Sequence, residues 1–320
     1  MRTESLIART VSPPPQAAAQ AGTRHGNRAG WGDNGTMSER GSLIDRATQA
    51  WVRVTGRKVD LTDHPWLDGP VGDPRVIGDE WVAREANRLK GELFEGGGLL
   101  ASVGLLKGDG FDPDALSPAV VDFYERTTEW RLDVWSQWCP AALPGGWLLS
   151  AVFARRLQQL ALPLRPLDVA QGMESRVVSL RDSVGRQLGA AWLRTLRSTG
   201  QVVYSGWYGT VQLPRTLDPS IRVMFPLPNG SVAVFLRPSV EPGGALTLTS
   251  PIGEFGDDGA YLIVRAGGRS AFVRRVPLAE QFRVYVDDEG TLRTDHALTL
   301  WSIPVIRLHY RLERKPTTPS

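Results

Sequence analysis

Two tyrosines and one histidine are the side chains of this sequence best suited to acid–base chemistry. Tyr204 and Tyr208 are four residues apart in an alternating segment, so both lie on one side of the predicted strand. His296 lies on a strand side that is otherwise mostly apolar, with these neighbours: Leu292, Thr294, Leu298 and Leu300. We predict that His296 is a catalytic base with Tyr204 or Tyr208 as its partner. The alternative for His296 is a hydrogen-bonded core residue.

The last predicted strand carries a row of basic side chains. Arg307, His309 and Arg311 alternate with apolar residues, so the two rows lie on opposite sides of the strand. Guanidinium groups bind a carboxylate or phosphate through paired hydrogen bonds, which predicts a polar wall of a ligand cavity. The alternative is the solvated outer side of an antiparallel sheet. Trp207 and Arg283 are predicted to contact the same ligand.

Asp295 and His296 resemble a catalytic pair in the sequence, but adjacent residues of a strand point to opposite sides. We therefore expect Asp295 to pair with a neighbouring arginine. A second dipeptide of this kind, Asp63-His64, precedes a proline, which favours an extended loop.

The sequence lacks the usual signatures of metal, nucleotide and nucleophile chemistry. The histidines do not have the local spacing of a metal site, so no metal is predicted. There is no Gly-x-Ser-x-Gly elbow and no Walker loop, and we predict no cofactor. Cys139 is the single cysteine; it cannot form an intrachain disulfide, and we expect a packed, unreactive thiol.

A series of short strands is predicted to position the candidate residues. From residue 173 onward the apolar period is two, and turn sequences such as Pro228-Asn-Gly230 separate the segments. The predicted strands are 174–181, 187–197, 201–212, 220–226, 231–237, 245–250, 260–265, 271–276, 281–287, 291–301 and 304–314. Such spacing predicts an antiparallel meander of about ten strands, either barrel-like or a strongly bent sheet.

Helical patterns precede the meander. The predicted helices are 42–54, 79–93, 117–138 and 146–161. Ser117 is a favourable N-cap, and Pro118 suits the first helical position. Because the side of the helix over 117–138 that carries Phe123, Trp130 and Trp138 is broad and aromatic, we expect it to pack on the meander.

Composition limits the classes of partner. The net charge is +3, with 42% hydrophobic and 22% charged residues and no dense basic block, so a nucleic-acid partner is not expected. The longest uncharged stretch, 139–154, contains prolines and is too short to span a bilayer, so we expect no transmembrane segment and a soluble, cytoplasmic protein. Residues 1–36 are expected to be a disordered tail or a mis-assigned start, and 316–320 a disordered tail.

These patterns predict an α+β fold. Residues 37–172 form a helical segment that packs on the antiparallel meander of residues 173–315. The strand number and turns resemble lipocalin-type barrels in architecture alone, because the N-terminal Gly-x-Trp signature of that family is missing before the first strand. The resemblance implies a container for one small ligand.

Three functions remain open at this point. The first is the binding of a small apolar or amphipathic molecule in the cavity of a barrel. The second is a cofactor-independent enzyme, an isomerase, cyclase or hydrolase, that uses His296 as base. The third is a protein-interaction module that has no pocket and uses exposed tryptophans. The sequence does not specify an oligomeric state.

Overall fold

A computed structural model of the protein describes residues 34–72, 78–138, 173–197, 200 and 202–316. Cys139, the helix predicted over 146–161 and most of the two predicted tails lie outside the described residues.

The described chain contains three α-helices and fourteen β-strands. The helices are α1 (Asn34–Thr55), α2 (Glu80–Leu89) and α3 (Pro118–Glu125). The strands are β1 (Arg57–Asp60), β2 (Glu92–Glu95), β3 (Trp130–Trp138), β4 (Met173–Arg181), β5 (Gln187–Leu196), β6 (Val202–Val211), β7 (Ser220–Leu227), β8 (Gly230–Glu241), β9 (Ala245–Ser250), β10 (Gly259–Arg265), β11 (Ser270–Val276), β12 (Leu278–Val286), β13 (Leu292–Leu300) and β14 (Ile303–Arg314). The predominance of antiparallel strand confirms the sheet-rich prediction.

One strand, β8, joins two parts of the sheet. In the first part of β8, Val234 pairs with Val223 of β7 on one side and with Ala260 of β10 on the other. Further along, Val240 pairs with Leu246 of β9. We call β1, β2, β4–β8, β10 and β11 the large half of the sheet. The small half consists of β9, β12, β13, β14 and β3, in that spatial order.

The sheet does not close into a barrel. Its main path begins at β2 and ends at β3, and no ladder joins these two strands in the described chain. The change of partner along β8 instead brings the large and small halves over one another, because residues of both belong to one hydrophobic core. Of the two predicted forms, the structure is the bent sheet.

The helix predicted over 117–138 is wrong in its second part. The helix α3 ends at Glu125, where the Thr127 hydroxyl donates to the Phe123 carbonyl oxygen over 2.6 Å. The chain then continues as β3, in which Leu132 and Val134 are buried and alternate with more exposed residues. The buried residues Trp130, Leu132 and Val134 therefore follow a period of two, although Trp130 and Val134 also fit helical spacing. The helix predicted over 79–93 likewise ends at Leu89, before β2.

The large half is buried on both sides. The inner core, between the two halves, includes Val223 and Val234, and α3 adds Phe123 to it. The outer core, on the opposite side, includes Phe235 and Trp81 of α2. The indole nitrogen of Trp81 donates to Ser205 Oγ over 2.7 Å, which attaches α2 to β6. Because successive residues enter different cores, the strands of the large half are almost continuously apolar.

Candidate ligand cavity

A cavity of about 90 Å³ lies within the inner core. The large half contributes Ile221, Val223 and Val234 to its lining, and the small half contributes Leu248 and Val284. The α3 side chains Phe123 and Tyr124 also line it. Polar side chains reach this apolar space from both halves: Arg194, Tyr204, Tyr208, Glu280, Thr294, His296 and Tyr310.

Strand alternation explains how the small half delivers its polar residues. On β12, Glu280, Phe282 and Val284 share the inward side, and His296 lies on the inward side of β13. Phe282 is the direct cross-strand partner of His296, and their rings stack with centroids 3.7 Å apart and planes 15° apart. This stacking fixes the orientation of the imidazole.

His296 and Glu280 form a buried pair. His296 Nε2 is 3.2 Å from Glu280 Oε2, and the two side chains are only 11% and 9% exposed. A carboxylate can only accept, so Nε2 carries the proton in this bond. His296 Nδ1 is buried without a hydrogen-bond partner. The pair therefore leaves one imidazole nitrogen available to accept a proton.

The two tyrosines of β6 meet over a glycine. Tyr204 and Tyr208 flank Gly206 on the inward side, and their hydroxyls are hydrogen-bonded to each other. A side chain at Gly206 would begin 3.2 Å from the Tyr204 hydroxyl, so glycine leaves the room in which the two phenols meet. Burial raises the pKa of Tyr204 and of Tyr208. Both hydroxyls therefore stay protonated at neutral pH and act as hydrogen-bond donors.

Arg194 of β5 places a cation in the same space. Its guanidinium carbon lies 3.8 Å from the centre of the Trp192 ring and 5.4 Å from that of Tyr310 on β14. The residue is 4% exposed, and its Nε has no hydrogen-bond partner. Burial raises the pKa of Tyr310, and the Arg194 guanidinium opposes that rise. A cation, neutral phenols and a histidine–carboxylate pair thus converge on one apolar enclosure.

The structure brings together the three residues predicted as catalytic. Tyr204, Tyr208 and His296 all line the cavity, and His296 is on the buried side of its strand. Their role in catalysis remains a prediction.

The predicted basic wall does not face the cavity. Arg307 is exposed, His309 Nδ1 lies 2.7 Å from Asp295 Oδ1, and Arg311 forms an ion pair of 2.6 Å with Glu313. These residues occupy the solvated outer side of β13 and β14, as the alternative interpretation expected. The hydrogen bond of Asp295 therefore goes to a histidine, while the expected arginine neighbour is present as Arg283, its cross-strand partner, whose pKa the Asp295 charge helps to raise.

Trp207 and Arg283 also point away from the cavity. Trp207 is 1% exposed in the outer core, where its ring centre is 6.2 Å from that of Trp81. The Arg283 Nε donates to Glu241 Oε2 over 2.8 Å on the outer side of the small half. Both have odd numbers on strands whose inward residues have even numbers, which is the period-two pattern that separates them from Tyr208 and Phe282.

Three residues that line the cavity were not predicted from the sequence as site residues: Arg194, Glu280 and Tyr310. The available signals were the single charged residue of β5, Arg194, and the position of Glu280 on the same side of its strand as Phe282 and Val284. Tyr310 lies on the side of the last strand opposite Arg307, His309 and Arg311, and it is buried. Its cavity role depends on β5, which lies in the other half.

Among the described residues, His64 does not join a metal site. His64 contacts the rings of Trp66 and Phe255, at centroid distances of 6.5 and 5.7 Å. Within the part of the chain that the structure describes, no three His, Cys, Asp or Glu side chains converge on a metal position.

Two exposed tryptophans border a surface groove. Trp51 of α1 is 43% exposed and Trp301 is 60% exposed, and both line a groove of about 550 Å³. Arg274 lies with its guanidinium carbon 5.7 Å from the Trp51 ring centre. This groove is the feature that corresponds to the hypothesis of an interaction module. None of the helices in the described ranges has the length and apolar composition that crossing a membrane requires.

Comparison with known proteins gives one similarity. The chain is 28% identical over 245 residues, or 74% of its length, to a protein of Bacillus subtilis (strain 168) described as an uncharacterized membrane protein, YndJ. The matched region spans 41% of that protein. No family model matches the chain, and no solved structure matches it.

Proposed function

We propose that the protein binds a small apolar or amphipathic molecule in the cavity between the two halves of the sheet. The observation that carries this proposal is the lining of the cavity, which is mostly apolar but includes Arg194 and the hydroxyls of Tyr204 and Tyr208. Ligand sites in proteins typically combine an apolar wall with a few polar groups that orient the ligand.

The cavity size restricts the ligand. A water molecule occupies about 30 Å³ in the liquid, so about 90 Å³ accommodates a molecule of only a few heavy atoms. Ligand pockets are commonly a few hundred Å³, roughly 300 or more. The proposed ligand is therefore a short molecule, or the end of a longer one whose remainder extends out of the cavity.

A cavity-filling variant tests the proposal. Val284→Phe adds a ring at a residue that is 1% exposed and lines the cavity, whereas Val184→Phe adds the same ring at a turn residue that is 73% exposed. Calorimetric titration with 1-butanol, 1-hexanol and their carboxylate counterparts should show binding to the wild type and to Val184→Phe but not to Val284→Phe. Equal binding by both variants, with Val284→Phe still folded by circular dichroism, would place the ligand elsewhere.

The buried histidine pair favours a second candidate, a cofactor-independent isomerase. Glu280 orients His296 so that its Nδ1 can remove a proton from carbon next to a substrate carbonyl. The hydroxyl of Tyr204 or Tyr208 would donate to the enolate oxygen that forms. The imidazolium then returns the proton to another carbon of the same molecule, so no external reactant is consumed.

Proton exchange distinguishes the two candidates. An isomerase should introduce deuterium from heavy water into a small bound ketone such as 2-butanone, and His296→Ala should abolish this exchange while the ketone still binds. His309→Ala is the matched control, because its imidazole lies on the outer side. If wild-type protein binds the ketone but does not accelerate exchange, the isomerase candidate is rejected and only the binding function is left.

The cytoplasmic location expected from the sequence stays a prediction. The similar Bacillus protein is described as a membrane protein, and the chain matches less than half of it. Fractionation of the native host, with immunoblotting of the cytosolic and membrane fractions, tests the location directly.

A further inference from the structure

Arg194 is a buried cation that lacks an anion in the described structure. It is 4% exposed, and its guanidinium lies against the ring faces of Trp192, Tyr204 and Tyr310, at 3.8, 5.0 and 5.4 Å from the ring centres. Ring faces interact with the flat face of a guanidinium, but its N–H groups need acceptors in their own plane. The Nε–H has no such acceptor. Burying a cation without an anion is unfavourable, so an anion bound at Arg194 would stabilise this site.

The carboxylate of the cavity does not supply that partner. Glu280 lies 3.2 Å from His296 Nε2. It does not form an ion pair with Arg194 in the described chain, since no carboxylate oxygen there lies within 4.0 Å of the guanidinium nitrogens. The anion that would complete the site must therefore come from outside the described residues.

The phenols add hydrogen-bond donors to the same place. In the pair formed by Tyr204 and Tyr208, one hydroxyl donates to the other, which leaves one O–H free to donate elsewhere. An O–H bond to an ionised oxygen is stronger than one to a neutral oxygen. The cation and the free hydroxyl thus favour a charged acceptor over an alcohol or ketone.

We propose that the ligand is a short-chain carboxylic acid, bound as its carboxylate by Arg194 and by the free hydroxyl of the Tyr204–Tyr208 pair. This inference rests on the proposed function and specifies its ligand class. The hydrocarbon chain of the acid lies against Ile221, Val223 and Val234. The carboxylate lies at Arg194, and Glu280 is a like charge that lines the same cavity. A phosphate monoester carries nearly two negative charges, which one guanidinium in an apolar cavity does not balance.

Matched acids and alcohols test the ligand class. Sodium hexanoate and 1-hexanol share a chain length and differ in the polar end, and calorimetric titration gives a Kd for each. We expect wild-type protein to bind hexanoate about tenfold tighter than 1-hexanol, the effect of one charge-assisted hydrogen bond. Butanoate and octanoate, each with its alcohol, then establish which chain length fits the cavity.

Two variants assign the preference to the cavity. Arg194→Met removes the cation but keeps a similar length, and should equalise the affinities for acid and alcohol. Glu280→Gln removes the like charge, and should raise the affinity for hexanoate but not for 1-hexanol. Arg307→Met, on the outer side, is the control and should change neither affinity.

The outcomes separate this inference from the proposed function. Equal wild-type affinities for hexanoate and 1-hexanol would overturn the carboxylate assignment and leave the binding function intact. Wild-type protein that binds neither molecule, nor the other chain lengths, would overturn both. An acid preference that survives in Arg194→Met would also reject the role of Arg194. If that variant does not fold, the wild-type comparison and Glu280→Gln still decide the question.

Discussion

The described residues include two histidine–carboxylate pairs on opposite sides of the same part of the sheet. The inner pair, His296 and Glu280, has a separation of 3.2 Å and exposures of 11% and 9%. The outer pair, His309 and Asp295, is closer, at 2.7 Å, but its exposures are 38% and 51%. Asp295 and His296 are adjacent in the chain, so a single step along β13 separates the two environments.

The difference shows that distance alone does not identify a functional pair. Water and salt screen the outer pair, so its shorter contact contributes little free energy. The inner pair is shielded from water, stacked against Phe282 and open at His296 Nδ1. Burial increases the free energy needed to break the pair. It also strengthens the electrostatic interactions of the unpaired nitrogen, His296 Nδ1.

Removing the carboxylate of each pair should give the largest difference in stability between the inner and the outer pair. Glu280→Ala leaves a buried imidazole N–H without an acceptor, and we expect the free energy of unfolding to fall by about 2 kcal/mol. Asp295→Ala frees a solvated histidine and should change it by less than about 0.5 kcal/mol. Urea unfolding followed by circular dichroism measures both values. Equal losses would mean that the inner pair is no more protected from solvent than the outer pair.

Alkaline pH should destabilise the inner side of the sheet at a pH at which the outer pair, His309 and Asp295, is unchanged. Burial raises the pKa of Tyr204, Tyr208 and Tyr310 in the folded state, whereas the unfolded tyrosines titrate near their usual pKa of about 10. Their protonated forms are favoured by folding, so this contribution is complete below about pH 10 and is lost as the pH rises further. We expect the free energy of unfolding to decrease above that pH.

Phenolate absorbance at 295 nm, recorded beside circular dichroism, checks this pH dependence. Ionisation of the inner tyrosines should coincide with unfolding. Tyr208→Phe, which removes one titrating group, should make the decline in stability shallower. If all tyrosine absorbance develops before the circular dichroism changes, the inner hydroxyls are accessible in the folded protein.

The smallest difference between the two pairs should be the salt dependence of their coupling energies. A double-mutant cycle on His309 and Asp295 should yield a coupling of about 0.5 kcal/mol at low ionic strength, and it should fall toward zero in concentrated sodium chloride. The same cycle on His296 and Glu280 should depend little on salt, because the low exposure of both side chains keeps them away from the screening solvent. A salt-resistant outer coupling would contradict the distinction between the two sides.

From β4 onward, local alternation was sufficient to predict the strands and to divide the residues of each strand between two opposite sides. It placed His296 and Asp295 on opposite sides and found the boundaries of β9 and β14 to within one residue. The same rule failed at residues 130–138, where Trp130, Val134 and Trp138 fit both a helical and a strand period. There the outcome depends on pairing with β14, which is a contact between distant parts of the chain.

The composition of the cavity could not be predicted from local patterns. Arg194, Glu280 and His296 come from β5, β12 and β13, and they meet only because the two halves of the sheet lie over one another. That arrangement depends on the change of partner along β8. No local pattern in the sequence indicates this change. Arg307 and Arg311, predicted as ligand contacts, are not among the residues that line the cavity, and alternation could not show this because it separates two sides without indicating which one encloses a space.

The sharing of β8 also has a consequence for inheritance. The small half takes β3 from before β4 and takes β9 and β12–β14 from after β8, while β10 and β11 return to the large half. No single cut of the chain therefore separates one half from the other. A recombination event with one crossover would replace strands in both halves, or in part of one, and would never exchange a complete half. A single crossover consequently transfers the cavity intact only when it falls outside the segment of chain that contains the strands.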